Sequence, residues 1–341
     1  MTEPRTSAVE GLEDLFAVLD RVPFVAGVKR DAGRLRRLLY ERRPARLVVV
    51  GHGKSGRSTL LNLLMDRAVL PTGDDDALCD GDWIGVDAYG SRVSWLELSP
   101  GTDAALLGRA IREGGPDAVI ALIEVEASDA RATLRLARDL ARDEGRVPVL
   151  VVLAQTDRVA PRRARELSRD LAEQATELGL PSSRVFSVSA PTRSGVTVFA
   201  DALIEALPRC AQLESARAMP CARASRLRIA REIVRASGSL AVTVALVPLP
   251  LSDVAFLAPL QVAMVSSVAH LAGRAWDRET ISEWAASVGF VGGAGFGMRW
   301  GAQQLVKLVP GAGSFISAGI AGAGTAALGK SAIAWFLERE V

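Results

Sequence analysis

The chain has 341 residues, of which 49% are hydrophobic and 23% are charged, and its formal net charge is +2. At roughly 150 residues per domain, this length predicts about two domains. A net charge this small argues against a protein that binds nucleic acid through its overall positive charge. The three cysteines have no C-x-x-C spacing and the two histidines are far apart, so we expect a reducing compartment and no histidine zinc site.

The last third of the chain is more apolar than the rest. Between Ser237 and Val341 there are six basic and six acidic residues, whereas twelve of the 31 glycines lie between Gly289 and Gly329. This region explains why the mean hydropathy of the whole chain reaches +0.21. The sequence therefore predicts four parts: an N-terminal helical segment at 1–43, an α/β domain at 44–208, a basic connecting helix at 209–236 and an all-α, Gly/Ala-rich domain at 237–341.

Apolar periodicity predicts the individual elements in chain order. Residues 7–43 have a helical pattern that Pro23 interrupts. Strands are predicted at Leu47–Val50, Trp83–Ala88, Arg92–Leu98, Ala118–Val125, Val149–Leu153 and Arg184–Val188. Helices are predicted at Asp103–Glu113, Asp129–Asp143, Pro161–Glu177 and Val196–Leu207. This alternation predicts a doubly wound, mostly parallel sheet with helices on both faces, and the short turn Tyr89–Ser91 predicts one antiparallel pair.

A glycine-rich motif follows the first predicted strand. Gly51 and Gly56 have the spacing of the phosphate-binding loop G-x-x-x-x-G-K-[S/T], and Arg57 and Ser58 occupy its last two positions. In such a loop the backbone N–H groups and the N-terminus of the next helix bind phosphate oxygens. The hydroxyl of Ser58 would coordinate Mg²⁺.

Five markers in the right order resemble the Era-like, MnmE-like and dynamin-like GTPases. They are Gly56–Leu64, Val69–Gly73, Ser99–Gly101, Ala154–Asp157 and Ser189–Ala190. The resemblance implies a P-loop GTPase-type α/β fold for residues 44–208, with GTP and Mg²⁺ as ligands and with Asp157 contacting the guanine. The nucleotide site that it implies consists of Gly51, Gly53, Lys54, Ser55, Gly56, Arg57, Ser58, Thr59, Gln155, Asp157, Ser189 and Ala190, with Ser58 also binding the metal.

Several positions depart from the pattern of these GTPases. Arg57 replaces the phosphate lysine, Leu98 stands where the magnesium-supporting aspartate belongs, and Ala154 replaces the asparagine of the base motif. Glu97 is adjacent to Leu98, but neighbouring strand residues face opposite sides, so we expect it not to substitute for the aspartate. Residues 73–90 contain no serine or threonine. These departures predict weak or absent hydrolysis, and leave open whether the protein is an enzyme.

Two further features have alternative interpretations. Lys54 stands where potassium-activated relatives have an asparagine, so its ammonium group could replace that cation or the missing phosphate lysine, or it could face solvent. The acidic run could bind a metal ion, but a solvated polar loop is the more common meaning of such a run. Its members are Asp74, Asp75, Asp76, Asp80 and Asp82.

The C-terminal third suggests a membrane. Residues 209–235 contain seven arginines, and the charge-free run Val254–Gly273 is 20 residues long, about one membrane span. An arginine-rich helix suits an anionic cytoplasmic leaflet. Residues 237–337 resemble the membrane-associated helical domain of the YcjF-like group, whereas Pro248, Pro250 and Asp253 favour a compact soluble bundle.

These inferences lead to one prediction and two alternatives. We predict a bacterial-type GTP-binding switch protein with weak or absent hydrolysis, coupled to a membrane-proximal helical domain. Its expected location is the cytoplasmic face of the membrane or the cytoplasm, with guanine nucleotide, an anionic membrane surface and an unknown protein as partners, and no nucleic acid. One alternative is a pseudo-GTPase scaffold or membrane-binding module that no longer binds nucleotide. The other is an ATP-dependent phosphotransferase, for which the sequence offers no catalytic base.

Overall fold

The protein divides into two compact units in this structure, a computed structural model. One unit comprises Arg43–Ser225, and the other comprises Met1–Arg42 together with Arg226–Val341. The structure describes residues 26–72, 82–102, 115–143, 147–180, 185–246, 252–274, 283–284 and 313–339. The predicted helices at 7–25 and 103–113, and the acidic positions 74–76 and 80, lie outside these residues.

The unit Arg43–Ser225 contains one six-stranded sheet. Its strands are β1 (Ala45–Val50), β2 (Ile84–Ala88), β3 (Ser91–Leu98), β4 (Ala118–Glu124), β5 (Val149–Ala154) and β6 (Val185–Ser187). They lie in the order β2-β3-β1-β4-β5-β6, and only the β2–β3 pair is antiparallel. Tyr89 and Gly90 join this pair with positive φ angles of 53° and 74°, the conformation that a two-residue hairpin requires. The predicted fold class and the antiparallel pair are confirmed.

In chain order the helices are α1 (Ala26–Leu39), α2 (Arg57–Met65), α3 (Ala130–Asp143), α4 (Pro161–Glu177), α5 (Val196–Ala206), α6 (Arg209–Ala218), α7 (Arg223–Leu246), α8 (Ser252–Leu271) and α9 (Gly313–Ile333). Helices α2 to α6 belong to the unit that contains the sheet, whereas α1, α8, α9 and nearly all of α7 belong to the other unit. One core cluster joins Leu96 and Leu98 of β3 to Leu134 of α3 and Leu171 of α4. On the opposite face, Ser91 of β3 donates a hydrogen bond to a carboxylate on α6. The sheet is therefore doubly wound, as predicted.

Residues 209–236 form two helices, which differs from the single connecting helix that the sequence predicts. Helix α6 ends at Ala218, and α7 begins at Arg223. Gln212 of α6 is buried and donates to the carbonyl of Leu207, while buried Arg217 donates to the carbonyl of Tyr89 in the β2–β3 turn. These contacts attach α6 to the unit that contains the sheet. Buried backbone carbonyls need a donor, and the polar side chains of α6 supply one to Leu207 and one to Tyr89. The predicted domain boundaries remain a prediction.

The second unit is helical, and small residues lie where its helices meet. A Cβ atom at Gly322 of α9 would lie 2.3 Å from Val242 of α7, and one at Gly329 would lie 2.4 Å from Val234. Glycine at these positions lets the two helices approach closely. Gln261 of α8 donates a 3.0 Å hydrogen bond to Thr325 of α9, which satisfies two polar groups between these helices.

Within the part of the chain that the structure describes, one helical stretch is long and apolar enough to cross a membrane. It is Gly319–Glu338, and 39% of its most apolar window is buried inside the protein. A core helix of a soluble bundle has the same length and composition. This helix alone therefore does not decide between the two interpretations of the C-terminal third, and membrane association remains a prediction.

Candidate functional site

The loop between β1 and α2 has the shape of a phosphate-binding turn. Lys54 and Gly56 have positive φ angles of 66° and 92°, so the chain curls at the position where α2 begins. A Cβ atom at Gly51 would lie 2.6 Å from the Ser55 Oγ and 2.9 Å from the carbonyl oxygen of Leu122. Only glycine fits position 51, because any side chain there would displace the backbone of β4.

Two kinds of polar group in this loop are suited to an anion. The N-cap of α2 is Gly56, which offers no side-chain cap, so the N–H groups of the first helical turn have no intrahelical or capping acceptor. The Ser55 hydroxyl is 1% exposed and has no hydrogen-bond partner. A buried hydroxyl without a partner carries a desolvation cost that a bound acceptor would remove. Together with the helix dipole, these donors are suited to an anion such as phosphate, and the predicted contact of this loop with a nucleotide remains a prediction.

Arg57 points its guanidinium group into the protein. It is 7% exposed, and its Nη1 donates to the carbonyl of Gly51 at 3.2 Å and to the Ser99 Oγ at 2.8 Å. Its Nε lies 3.3 Å from Oε2 of Glu97. The guanidinium therefore connects the phosphate loop to the segment that follows β3. The predicted contact of Arg57 with a nucleotide phosphate remains a prediction.

Glu97 lies beside the phosphate loop, which corrects the expectation drawn from the sequence. Its Oε1 accepts hydrogen bonds from the Ser58 Oγ at 3.1 Å and from the Trp95 indole at 3.0 Å. The adjacent Leu98 packs in the hydrophobic core on the opposite face. The side chains of Glu97 and Leu98 do point to opposite faces of the sheet, as expected. The face on which α2 lies is the one to which Glu97 points.

The register of β3 explains this correction. Glu97 pairs with Val49 and Leu98 with Val50 in the parallel β1–β3 ladder. Val50 belongs to the same core cluster as Leu98, so these two side chains share the face that α3 and α4 cover. Both faces of β3 are buried at its carboxyl end, so hydrophobic alternation could not reveal which face meets the loop.

The residues near Ser58 do not fit a magnesium site of the ordinary kind. Magnesium beside a bound phosphate ordinarily uses one or two protein carboxylates. Ser58 supplies one hydroxyl, and among the described residues the carboxylate that contacts it, Glu97, is already paired with Arg57. No cluster of three or more His, Cys, Asp or Glu side chains occurs among the described residues.

The base side of the site forms where β5 and β6 end. Asp157 lies exposed in a 3₁₀ turn, Thr156–Arg158, that directly follows β5. Its Oδ1 accepts a 2.7 Å hydrogen bond from the hydroxyl of Ser189, which is buried just after β6. A fixed carboxylate at this edge is able to accept hydrogen bonds from the N–H groups of a guanine.

Gln155 links the base side to the phosphate loop. It has a positive φ of 58°, and its Nε2 donates to the carbonyl of Lys54 at 3.0 Å. Its Oε1 accepts a 2.7 Å hydrogen bond from Arg158. Ala154, which replaces the asparagine of the base motif, is buried and has no side-chain donor, so Gln155 supplies this link instead. The Lys54 side chain is exposed, and its predicted roles remain predictions.

The structure thus brings the predicted loop residues, Gln155, Asp157 and Ser189 to the same carboxyl edge of the sheet. The sequence analysis missed one member of the site, Trp95, which donates to Glu97, and it named Ser99 only as part of the marker Ser99–Gly101 and not as a partner of Arg57. The only signal for Trp95 is its position near the carboxyl end of β3. Ligand sites in open α/β sheets lie at this edge.

Comparisons with known proteins give a family match for the C-terminal part of the chain and a similar solved structure. Residues 209–340 match a family described as Domain of unknown function (DUF697). The C-terminal part of the chain is similar to that family. The match begins at Arg209 and so includes α6, which packs in the sheet unit. The finer resemblance to YcjF-like proteins remains a prediction.

A solved structure with a related architecture is Era from Aquifex aeolicus, a point variant bound to GDP and aluminium fluoride. The identity is 16% and the TM-score 0.37, over 61% of this chain and 69% of that chain. No curated protein matches this sequence. The α/β architecture of the N-terminal part therefore rests on its own sheet order and phosphate loop.

Proposed function

We propose that the unit Arg43–Ser225 binds guanine nucleotide and hydrolyses it slowly or not at all. The observation that carries this proposal is the buried, unpartnered Ser55 hydroxyl inside a glycine-shaped loop at an uncapped helix N-terminus. This arrangement has donors for phosphate and lies at the same sheet edge as Asp157.

Asp157 would select the base. The Watson–Crick edge of guanine presents two N–H donors, whereas that of adenine presents one donor beside an acceptor, so a carboxylate favours guanine. Ser189 holds the Asp157 carboxylate through a 2.7 Å hydrogen bond, which limits its rotation. If the carboxylate is removed, the two N–H groups of the bound guanine are left unpaired. The free-energy cost of these unpaired groups is the basis of the selectivity for guanine.

Slow hydrolysis follows from the phosphate side. Leu98 packs in the core where the GTPases that this chain resembles have an aspartate, and the nearby Glu97 is engaged by Arg57. Among the described residues of the loop after β3, the Thr102 hydroxyl accepts from the Ser99 N–H and donates to the Ser99 carbonyl, and the Ser99 hydroxyl accepts from Arg57, so both hydroxyls already have partners. We therefore propose a binding switch, and any turnover would be slow.

The proposal is tested by equilibrium titration of the full chain with a fluorescent GTP analogue, with GTP, ATP and XTP as competitors. We expect GTP to compete at least about tenfold better than ATP, a difference of about 1.4 kcal/mol. In Asp157→Asn the preference should move from GTP to XTP, because the new amide donates to the extra carbonyl of xanthine. Asp139→Asn, at an exposed ion pair on α3, is the matched control and should leave the preference unchanged.

A second candidate is a scaffold that no longer binds nucleotide. The specific observation in its favour is the set of contacts of Arg57 with Gly51, Glu97 and Ser99, which connects the phosphate loop to its surroundings through the protein's own groups. Absence of binding up to millimolar nucleotide in the same titration would establish this candidate. Equal competition by ATP and GTP would instead support a nucleotide site that does not select guanine.

We further propose that the helical unit associates with an anionic membrane surface at the cytoplasmic face. Two of the seven arginines are excluded from this role, since Arg217 and Arg226 are buried and donate to backbone carbonyls. On α7 the exposed cationic residues of this unit are Arg231 and Arg235. Exposed arginines near a leaflet are attracted to acidic headgroups, and the attraction decreases with salt.

Flotation with lipid vesicles tests this second proposal. The full chain should float with phosphatidylglycerol-containing vesicles and should remain below with pure phosphatidylcholine. Arg231→Glu/Arg235→Glu should abolish flotation, whereas the matched pair Arg162→Glu/Arg165→Glu, exposed on α4 of the other unit, should not. Flotation that persists in the α7 variant would show that apolar insertion, and not these arginines, causes the association.

A further inference from the structure

We infer that the Arg57–Glu97 ion pair takes the place of the magnesium ion, so that this site binds nucleotide phosphates without a divalent cation. The inference rests on the proposed function, because it concerns the same phosphate site. It starts from the observation that the carboxylate beside Ser58, which an ordinary magnesium site would use, is already paired with Arg57. The pair is not a surface contact, since both side chains are 7% exposed.

Every oxygen of the Glu97 carboxylate is engaged by the protein. Oε1 accepts from Ser58 at 3.1 Å and from Trp95 at 3.0 Å, and Oε2 lies 3.3 Å from the Nε of Arg57. A carboxylate offers about four acceptor positions, so three of them are taken and a metal ion at Glu97 would have to compete with Arg57. Displacing Arg57 would leave its guanidinium buried without its counter-ion, which is strongly unfavourable.

Arg57 is also held from its other side. Its Nη1 donates to the carbonyl of Gly51 and to the Ser99 Oγ, so the phosphate loop and the end of β3 with the residue that follows it fix the guanidinium. An arginine is always protonated and its planar group suits several simultaneous partners. The positive charge therefore stays immediately beneath the phosphate loop whether or not a ligand is present.

The charges near the loop explain how phosphate is bound without a metal. A magnesium ion at the phosphates ordinarily neutralises their charge and is anchored by a protein carboxylate. Here the carboxylate is neutralised internally, and the N-terminus of α2 with its uncapped N–H groups supplies the positive field. Because Arg57 neutralises Glu97, this carboxylate attracts a dication less than a free carboxylate would.

The test is a titration of the full chain with fluorescent GDP and GTP analogues, in buffer with Mg²⁺ and in buffer with EDTA. We expect the dissociation constants in the two buffers to agree within about threefold. In Arg57→Met the carboxylate of Glu97 has lost its counter-ion and becomes available next to Ser58. Nucleotide binding in EDTA should therefore be at least about tenfold weaker than in the wild type, and Mg²⁺, which this carboxylate is then able to bind, should restore part of the affinity. Arg57→Lys keeps the charge and should remain independent of magnesium.

A matched control separates the pair from general stability. Arg43→Met breaks another ion pair of the same unit, in which Arg43 lies 2.6 Å from a largely buried Asp117, and it should leave both dissociation constants and their ratio unchanged. Thermal melts of all variants identify any that fail to fold. If Arg57→Met does not fold, the ratio of the wild-type dissociation constants in the two buffers decides the inference by itself.

The outcomes distinguish this inference from the proposed function. Wild-type binding that is at least about tenfold weaker in EDTA would overturn the inference and leave the nucleotide site standing. Absence of binding in both buffers would overturn the proposed function and the inference with it. Equal binding in both buffers, with magnesium dependence appearing only in Arg57→Met, would support both.

Discussion

The phosphate side and the base side of the candidate site are built in different ways. On the phosphate side, Arg57, Glu97 and Ser55 are all less than a tenth exposed, and Arg57 and Glu97 are held by several polar contacts. On the base side, Asp157 is exposed and its position depends on one hydrogen bond from Ser189. We therefore expect changes on the phosphate side to alter both the free energy of unfolding and the affinity for nucleotide. Changes on the base side should alter the preference for guanine with little effect on folding.

The largest effect should come from breaking the buried ion pair. Glu97→Leu leaves the Arg57 guanidinium buried without a counter-ion and removes the acceptor of Ser58 and Trp95, so we expect the free energy of unfolding to fall by about 3–5 kcal/mol. Urea denaturation of the full chain measures it. Arg57→Met/Glu97→Leu, which removes both charges, should recover most of the loss.

An exposed pair provides the control for this prediction. Arg131 and Glu177 form an ion pair between α3 and α4, and both side chains are more than half exposed. Glu177→Gln should therefore change the free energy of unfolding by no more than about 1 kcal/mol. If Glu97→Leu lowered the free energy of unfolding by as little as this control, the phosphate side would not determine the stability of the protein.

A smaller effect on the same side is expected from Gly51→Ala. The added methyl group would lie 2.6 Å from the Ser55 Oγ and 2.9 Å from the Leu122 carbonyl oxygen, so the loop must shift. Overpacking of this kind costs about 1–3 kcal/mol, and nucleotide affinity should fall with it because the loop N–H groups move. Denaturation and the nucleotide titration measure the two effects. Gly101→Ala, where nothing lies within 4 Å of the added atom, should change neither.

The base side should respond without loss of stability. Ser189→Ala removes the 2.7 Å hydrogen bond that holds the Asp157 carboxylate, so the preference for GTP over ATP should decrease by about two- to tenfold. Competition titration measures this ratio. Thr176→Ala is a suitable control, because its hydroxyl donates to Ala172 within its own helix. An unchanged ratio in Ser189→Ala would show that Asp157 is positioned by other contacts.

Local patterns predicted the sheet and the loop, because apolar strands and a glycine-shaped turn leave a signature within a few residues. Tertiary contacts decided the rest. Glu97 was assigned to the wrong face, since both faces of β3 are buried near its end and only the pairing with β1 shows which one meets α2. Arg217 was expected on a connecting helix, yet it lies buried against the β2–β3 turn, because its guanidinium binds a carbonyl 128 residues away in sequence.

The smallest effect concerns Gln155, which joins the two sides. Its Nε2 donates to the Lys54 carbonyl at 3.0 Å in an exposed position, and an exposed neutral hydrogen bond contributes only about 0.5–1.5 kcal/mol. Gln155→Ala should therefore lower the affinity for GTP and ATP alike, by no more than about tenfold, and leave their ratio unchanged. Gln155→Glu is isosteric but cannot donate to the carbonyl, so it should reproduce the loss. A change in the GTP-to-ATP ratio in either variant would show that the base side depends on the phosphate loop for its selectivity, and the two halves would then act as one.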